Sequence, residues 1–184
     1  MIVFPLSYLF GDVLTEVYGF SSARRVVWAG FAAQAVWIVS YWIAAALPPA
    51  PFWPHQQAFE TVLGSTPRIA TAGMSAYLVG EFLNAFVLAK LKIALDGRRL
   101  ALRLIASTVV GQGVDSVLFL AIAFGGVFAM SDLVRLAVSV WALKVAWEVC
   151  ALPLSLPLIA YLKRVEGEDA FDAGTDFNPF RLRD

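Results

Sequence analysis

Long apolar runs broken by short polar stretches dominate the chain. At 1.5 Å rise per residue, about 20 apolar residues cross the hydrocarbon core of a bilayer. Four runs reach that length, at about Val26 to Leu47, Ile69 to Ala89, Leu104 to Gly125 and Leu133 to Ala160. Pro153 and Pro157 are expected to kink or end the last of these. A fifth run, about Ile2 to Phe20, is a weaker span because it contains Asp12 and Glu16. Between the runs, Arg24 and Arg25 close the first turn and Pro48 to Pro67 form a Pro-rich loop with aromatics (PPAPFWPHQQ). Lys90 to Arg103 form a basic loop, Gly125 to Asp132 a short one, and a charged tail follows from Tyr161. The pattern predicts an all-α polytopic membrane helix bundle over residues 1–165, with 166–184 as a cytoplasmic C-terminal tail.

If successive runs alternate in direction, Arg24, Arg25, Lys90, Lys92, Arg98, Arg99, Arg103, Lys163, Arg164, Arg181 and Arg183 fall on one side. Only Arg68 and Arg135 fall on the other. Short loops rich in Lys and Arg stay in the cytoplasm, which places the tail there and the Pro-rich loop outside. The first run then travels inward from the outside. A chain that starts outside points to an earlier helix preceding this sequence.

Composition supports this class and removes others. With 60% hydrophobic residues, 15% charged residues and a mean hydropathy of +0.73, the chain holds more apolar surface than a soluble domain can bury. Formal net charge is zero and the pI is about 6.6, so no basic field suggests a nucleic-acid partner. Cys150 is the only cysteine, which precludes an intramolecular disulfide, and its apolar run predicts a buried small hydrophobe. His55 is the only histidine, sits in the Pro-rich loop and has no second ligand at helical spacing; it reads as a surface residue, and no metal site or cofactor is expected. The N-terminus has neither a basic n-region nor a small-residue cleavage pattern, so it is not a signal peptide.

The candidate chemistry lies in polar residues inside the apolar runs. Asp12, Glu16, Glu81, Asp115, Lys144 and Glu148 would together cost on the order of 15–20 kcal/mol if all were charged and unpaired. Their spacing gives each helix one polar face. Asp12 and Glu16 are i,i+4, as are Lys144 and Glu148; Glu81 and Asn84 are i,i+3; Gln112 reaches Asp115 and Ser116 at i+3 and i+4. Such faces either converge on one interior cavity or cross-link helices, and the first is the usual role of intramembrane charge. Lys144 alone cannot neutralise five acids, so some acids hold protons or a cation binds.

Aromatic residues accompany these acids: Tyr8, Phe10 and Tyr18 in the first run, Tyr77 and Phe82 near Glu81, and Trp141 and Trp147 around Lys144. A flat heterocycle would stack on such rings, although each ring alone is better explained by packing or an interfacial belt. Ala72, Ala76 and Gly80, with Gly111 and Gly113, allow close helix approach. Gly111-Gln112-Gly113 is also a place where a helix could unwind to expose backbone to a ligand.

The blocks FPLSYLFGDVLTEVYGFSSARRVVWAGF, LPPAPFW, GEFLNAFVLAKLK, VGQGVDSVLF, KVAWEV and GTDFNPF occur in order along nearly the whole chain. In these blocks the sequence resembles the queuosine precursor transporters, a bacterial vitamin-uptake-like family. The resemblance implies a six-helix inner-membrane protein that imports 7-cyano- and 7-aminomethyl-7-deazaguanine for transfer-RNA modification. Five spans are visible here, and the family carries one more hydrophobic helix before the first block, so that helix is expected to be missing. The resemblance also implies substrate contacts at Asp12, Glu16, Glu81, Asn84, Gln112, Asp115, Ser116, Lys144 and Glu148, with Arg24 and Arg25 in the first block. A guanine-like edge offers N–H donors to carboxylates and a carbonyl to Lys, Asn or Gln.

Three functional readings stay open. The first is a secondary transporter with proton or sodium coupling, alone or as a homodimer. The second is a substrate-binding membrane subunit served by a separate energising module; the chain itself has no G-x-x-x-x-G-K-[ST] loop. An intramembrane enzyme is the third and is not expected, since no Ser/His, Cys/His or metal-ligand constellation is present.

Overall fold

The computed structural model describes residues 4–64 and 66–181. Ile2 and Arg183 lie outside them, and so does the side chain of Tyr8. The elements are α1 (Phe4–Ala46), α2 (Gln56–Gly64), α3 (Thr66–Ala94), α4 (Leu100–Phe124) and α5 (Met130–Glu166), with no strand among the described residues. Four helices are long and apolar enough to cross a membrane, with spans over Leu9–Ala46, Pro67–Ala94, Leu100–Phe124 and Met130–Glu166.

α1 is two helical limbs joined at a single residue. Gly19 has φ 82° and ψ 171°, a conformation open essentially to glycine alone, and a Cβ there would lie 3.1 Å from the Ala170 Cβ and from an Asp172 oxygen. The chain doubles back at this point. Along the first limb, Gly11, Asp12 and Glu16 meet Glu81, Asn84 and Lys92 in turn, whereas along the second limb Phe20 lies near Phe86 through Phe177 and Val27 reaches Tyr77. The limbs therefore run in opposite directions against α3. With α3, α4 and α5 they make five helical segments that alternate in direction, of which the first limb is shorter than a full span; the turn is Gly19, and Arg24 and Arg25 belong to the second limb.

Other boundaries also move. The Pro-rich loop contains the short helix α2, and the expected basic loop shrinks to residues 95–99, with Lys90 and Lys92 on α3 and Arg103 on α4. The α3–α4 turn uses left-handed conformations at Asp96, Gly97 and Arg99, and Arg103 staples it by donating to the Arg98 and Gly97 carbonyls at 3.0 and 2.9 Å. α5 continues through Pro153 and Pro157 to Glu166, because neighbouring helices and side chains can re-satisfy the backbone groups that proline frees. α4 is unbroken across Gly111-Gln112-Gly113, so no unwinding occurs there. These glycines bring helices together instead: a Cβ on Gly111 would meet the Asn84 Cβ and the Gly80 carbonyl, each at 2.8 Å. Cys150 is exposed on α5 rather than buried.

Residues 167–181 form a non-helical strap across the end of the bundle where α5 terminates. The buried Asp172 carboxylate accepts the Phe20 backbone N–H with both oxygens, at 3.1 and 3.0 Å, and so caps the second limb of α1 where Gly19 interrupts the helical ladder. Arg24 donates to the Asp176 and Asn178 carbonyls at 2.9 and 2.8 Å, and Trp28 Nε1 donates to the Pro179 carbonyl at 2.7 Å. Phe177 packs on Phe20 and Phe86, with the Lys90 ammonium 3.9 Å from its ring centre.

Candidate functional site

Two polar regions lie inside the bundle. Nearer the strap, Glu16 is fully buried and is the meeting point of several helices. Arg103 of α4 grips both of its carboxylate oxygens, Lys163 of α5 donates at 2.7 Å, and Lys92 of α3 stands 3.6 Å away. Asp169 on the strap closes the cluster by pairing with Lys92 and with Lys163, the latter at 2.7 Å. Partial burial works against its charged form, but the hydrogen bonds from Lys163 and Lys92 hold the Asp169 carboxyl below the usual carboxylate range. Glu16 is thus held as an ion-pair hub and is not on the cavity described next.

Deeper in the bundle, the two limbs of α1 and α3 enclose a cavity of about 210 Å³. Phe10, Gly11, Thr15, Val27, Tyr77, Glu81 and Asn84 are among its lining residues. Asn84 Nδ2 donates to Asp12 Oδ1 at 2.8 Å, so Asp12 stands directly behind the cavity wall. Asp115 and Lys144 form an ion pair between α4 and α5, and the charges of both act on Glu81. Lys144 therefore pairs across helices with Asp115 on α4, although Glu148 lies one turn away on its own helix. Gln112, Ser116 and Thr108 share the buried face of α4, and Glu148 is buried on α5.

Several buried atoms in this region have no hydrogen-bond partner among the described residues: Asp12 Oδ2, Asn84 Oδ1, Thr108 Oγ1, both amide ends of Gln112, Ser116 Oγ and Glu148 Oε1. Leaving such an atom unsatisfied costs about 1–3 kcal/mol. Most of them are acceptors. A larger groove of about 410 Å³, lined by Phe20, Trp28, Phe82, Phe86, Phe177 and other apolar residues, has no free polar side chain with which to read a polar solute.

Residues 1–158 match the family described as "Putative vitamin uptake transporter". The chain belongs to this family. It is similar to the "Probable queuosine precursor transporter" of Bacillus subtilis (strain 168), 32% identical over 143 residues that cover 77% of this chain and 62% of that protein. It is also similar to the "Queuosine precursor transporter" of Escherichia coli (strain K12), 30% identical over 121 residues, 66% of this chain and 52% of that protein. The chain thus spans between half and two thirds of the length of these curated relatives. No solved structure matches it.

In this vitamin uptake transporter family member, a multi-pass membrane protein, the sequence located the polar positions of the bundle but not their grouping. Asp12, Glu81 and Asn84 come together, Asp115 pairs with Lys144, and Gln112 and Ser116 lie on one buried face. Glu16 is set apart. Of the aromatics, Phe10 and Tyr77 border the cavity, while Phe82 faces the apolar groove, Tyr18 bonds Glu166 and Trp141 donates to the Val109 carbonyl. Thr108 was not singled out from the sequence, although its position four residues before Gln112 extends the same polar stripe. Lys92, Arg103 and Lys163 were legible only as basic residues near helix ends, and Asp172 carried no signal.

Proposed function

We propose that the chain forms the solute-handling bundle of a transporter that imports queuosine precursors, 7-cyano-7-deazaguanine and 7-aminomethyl-7-deazaguanine, across the bacterial inner membrane for queuosine salvage. The observation that carries this reading is a small cavity whose wall holds Glu81 and the unpartnered Asn84 Oδ1, with Asp12 hydrogen-bonded directly behind Asn84. A guanine-like edge presents several N–H donors, which suit Glu81 and Asn84, and a ring carbonyl, which suits the Gln112 amide, the Ser116 hydroxyl or Lys144. Tyr77 borders the cavity as the stacking ring. Asp115 holds Lys144 in place, and Asp12 and Glu148 set the charge behind the wall. The names of the two relatives support the solute class, and a proton or sodium gradient supplies the driving force.

The strap end is the cytoplasmic end in this reading. Arg24, Lys90, Lys92, Arg103 and Lys163 gather beneath the strap, whereas Arg68 bonds the Ile122 and Gly125 carbonyls at the opposite end.

Cells unable to make the precursors provide the test. Expression of the chain should restore queuosine in transfer RNA when either precursor is supplied, and Glu81→Gln should abolish the gain while its membrane level stays normal. Normal import by Glu81→Gln would remove Glu81 from the site, and loss of the variant from the membrane would favour a helix cross-linking role. Uptake by the protein alone in liposomes distinguishes a secondary transporter from a capture subunit that needs an energising module.

A further inference from the structure

Among the described residues, the side chains with polar atoms on the cavity wall are Thr15, Tyr77, Glu81 and Asn84. Each donor atom on Thr15, Tyr77 and Asn84 is already engaged. Thr15 Oγ1 donates to the Gly11 carbonyl at 2.9 Å, Tyr77 OH to the Val27 carbonyl at 3.4 Å, and Asn84 Nδ2 to Asp12 Oδ1 at 2.8 Å. Backbone N–H groups of the surrounding helices are spent within those helices. What remains for a solute is acceptor capacity: the Glu81 carboxylate, and Asn84 Oδ1, which is buried without a partner among the described residues. Glu81 and Asn84 are one turn apart on α3 and so share one side of the cavity. An edge with two adjacent N–H donors, a ring N–H beside an exocyclic amine, complements such a wall. An edge with an acceptor at either place sets acceptor against acceptor.

This polarity depends on which way the Asn84 amide is turned. A half-turn about its terminal bond exchanges Oδ1 and Nδ2, and a free amide would read donors and acceptors alike. Two contacts remove that freedom. Gly111 on α4 admits Asn84 so closely that a Cβ there would stand 2.8 Å from Asn84 Cβ, which fixes where the side chain starts. Asp12, 1% exposed on the first limb of α1, then takes Nδ2 as a charge-assisted donor. The reversed amide would set Oδ1 against the Asp12 carboxylate, two acceptors at hydrogen-bond distance. Asp12 itself is not among the residues lining the cavity, so it acts on a solute through Asn84. We infer that Asp12 is a positioning residue that sets solute specificity: by locking Asn84 with Oδ1 free, it makes the cavity take a solute through an edge of ring N–H and amine, and discriminate against the same ring without the amine. This inference rests on the cavity being the solute site.

The test compares, on the full chain in detergent, the Kd of 7-cyano-7-deazaguanine with that of 7-cyano-7-deazahypoxanthine, the same ring without the 2-amine. A ratio of two Kd values from one sample is independent of how much of it is folded, so a merely structural role for Asp12 would not move it. The native protein should prefer the amine by about tenfold to a hundredfold, the loss expected when a hydrogen bond to a buried acceptor goes unmade. Asp12→Leu frees the amide to turn Nδ2 toward the ring nitrogen beside the missing amine, and the preference should fall by about tenfold. Asp12→Val carries the same prediction if Asp12→Leu does not accumulate. Asp12→Asn still offers Nδ2 an oxygen and should keep most of the preference. Equal native affinity for the two compounds would overturn the acceptor-only wall while leaving the solute site standing. An unchanged preference in Asp12→Leu, or its loss in Asp12→Asn as well, would overturn the positioning role of Asp12. Failure of both compounds to bind the native protein would instead overturn the solute assignment, and this inference with it.

Discussion

Replacing Glu16 with glutamine removes the anion on which three helices and the strap converge, and it separates the ion-pair hub from the acids proposed to handle the solute. In the native protein Arg103 donates to both carboxylate oxygens, with Nη2 3.0 Å from Oε1, and Lys163 Nζ reaches Oε1 at 2.7 Å. After the substitution Lys92 keeps the Glu16 and Ala170 carbonyls, each at 2.7 Å, and both lysines keep Asp169. Arg103 keeps only the Arg98 and Gly97 carbonyls for a guanidinium that is fully buried. Breaking a buried pair from one side costs about 3–5 kcal/mol because a charge is left without its counter-ion. Lys163 is 21% and Asp169 48% exposed, so water offsets part of the loss, and the expected destabilisation is near the lower end, about 3 kcal/mol. Unfolding in detergent micelles measures it, and a double-mutant cycle with Arg103→Met should return a coupling of about 2–3 kcal/mol. Uptake per folded molecule should persist. Native stability with uptake abolished would refute the hub and return Glu16 to the solute site, and additive behaviour in the cycle would refute its pairing with Arg103.

Asp172→Ala should cost about 1–2 kcal/mol through loss of the helix cap, and should make the strap cleavable by protease in native membranes; an uncut strap would show that its aromatic contacts suffice. Lys144→Met leaves Asp115 without its base beside Glu81, so the variant should accumulate poorly, by about 3 kcal/mol of lost stability, while Lys144→Met combined with Asp115→Asn should regain membrane levels but not transport. Equal loss in the double variant would separate the effect from charge. Introduced cysteines at Ala94 and Ala173 should resist impermeant reagents in intact cells and one at Gln57 should react, once exposed Cys150 is replaced by Ala; the reverse pattern would invert the topology.

The sequence alone determined the class of the protein, its alternating helical segments and the polar positions within four of them. Those properties are local: a run of apolar residues long enough to cross a bilayer, and an i,i+4 spacing that puts two side chains on one face, need no knowledge of neighbours. The family blocks were equally legible because they are contiguous. The tertiary structure decided which polar faces meet, since helix rotation and depth, not spacing, choose partners across helices. Lys144 has Glu148 at i+4 yet pairs with Asp115, because α4 presents that carboxylate to it across the interface. Glu16 is spaced one turn from Asp12 yet belongs to a separate cluster, because that turn carries it toward the strap, where Arg103, Lys92 and Lys163 converge. The hairpin at Gly19 depends in the same way on Asp172, more than 150 residues downstream, whose carboxylate satisfies an N–H that a local pattern would have left inside one continuous helix.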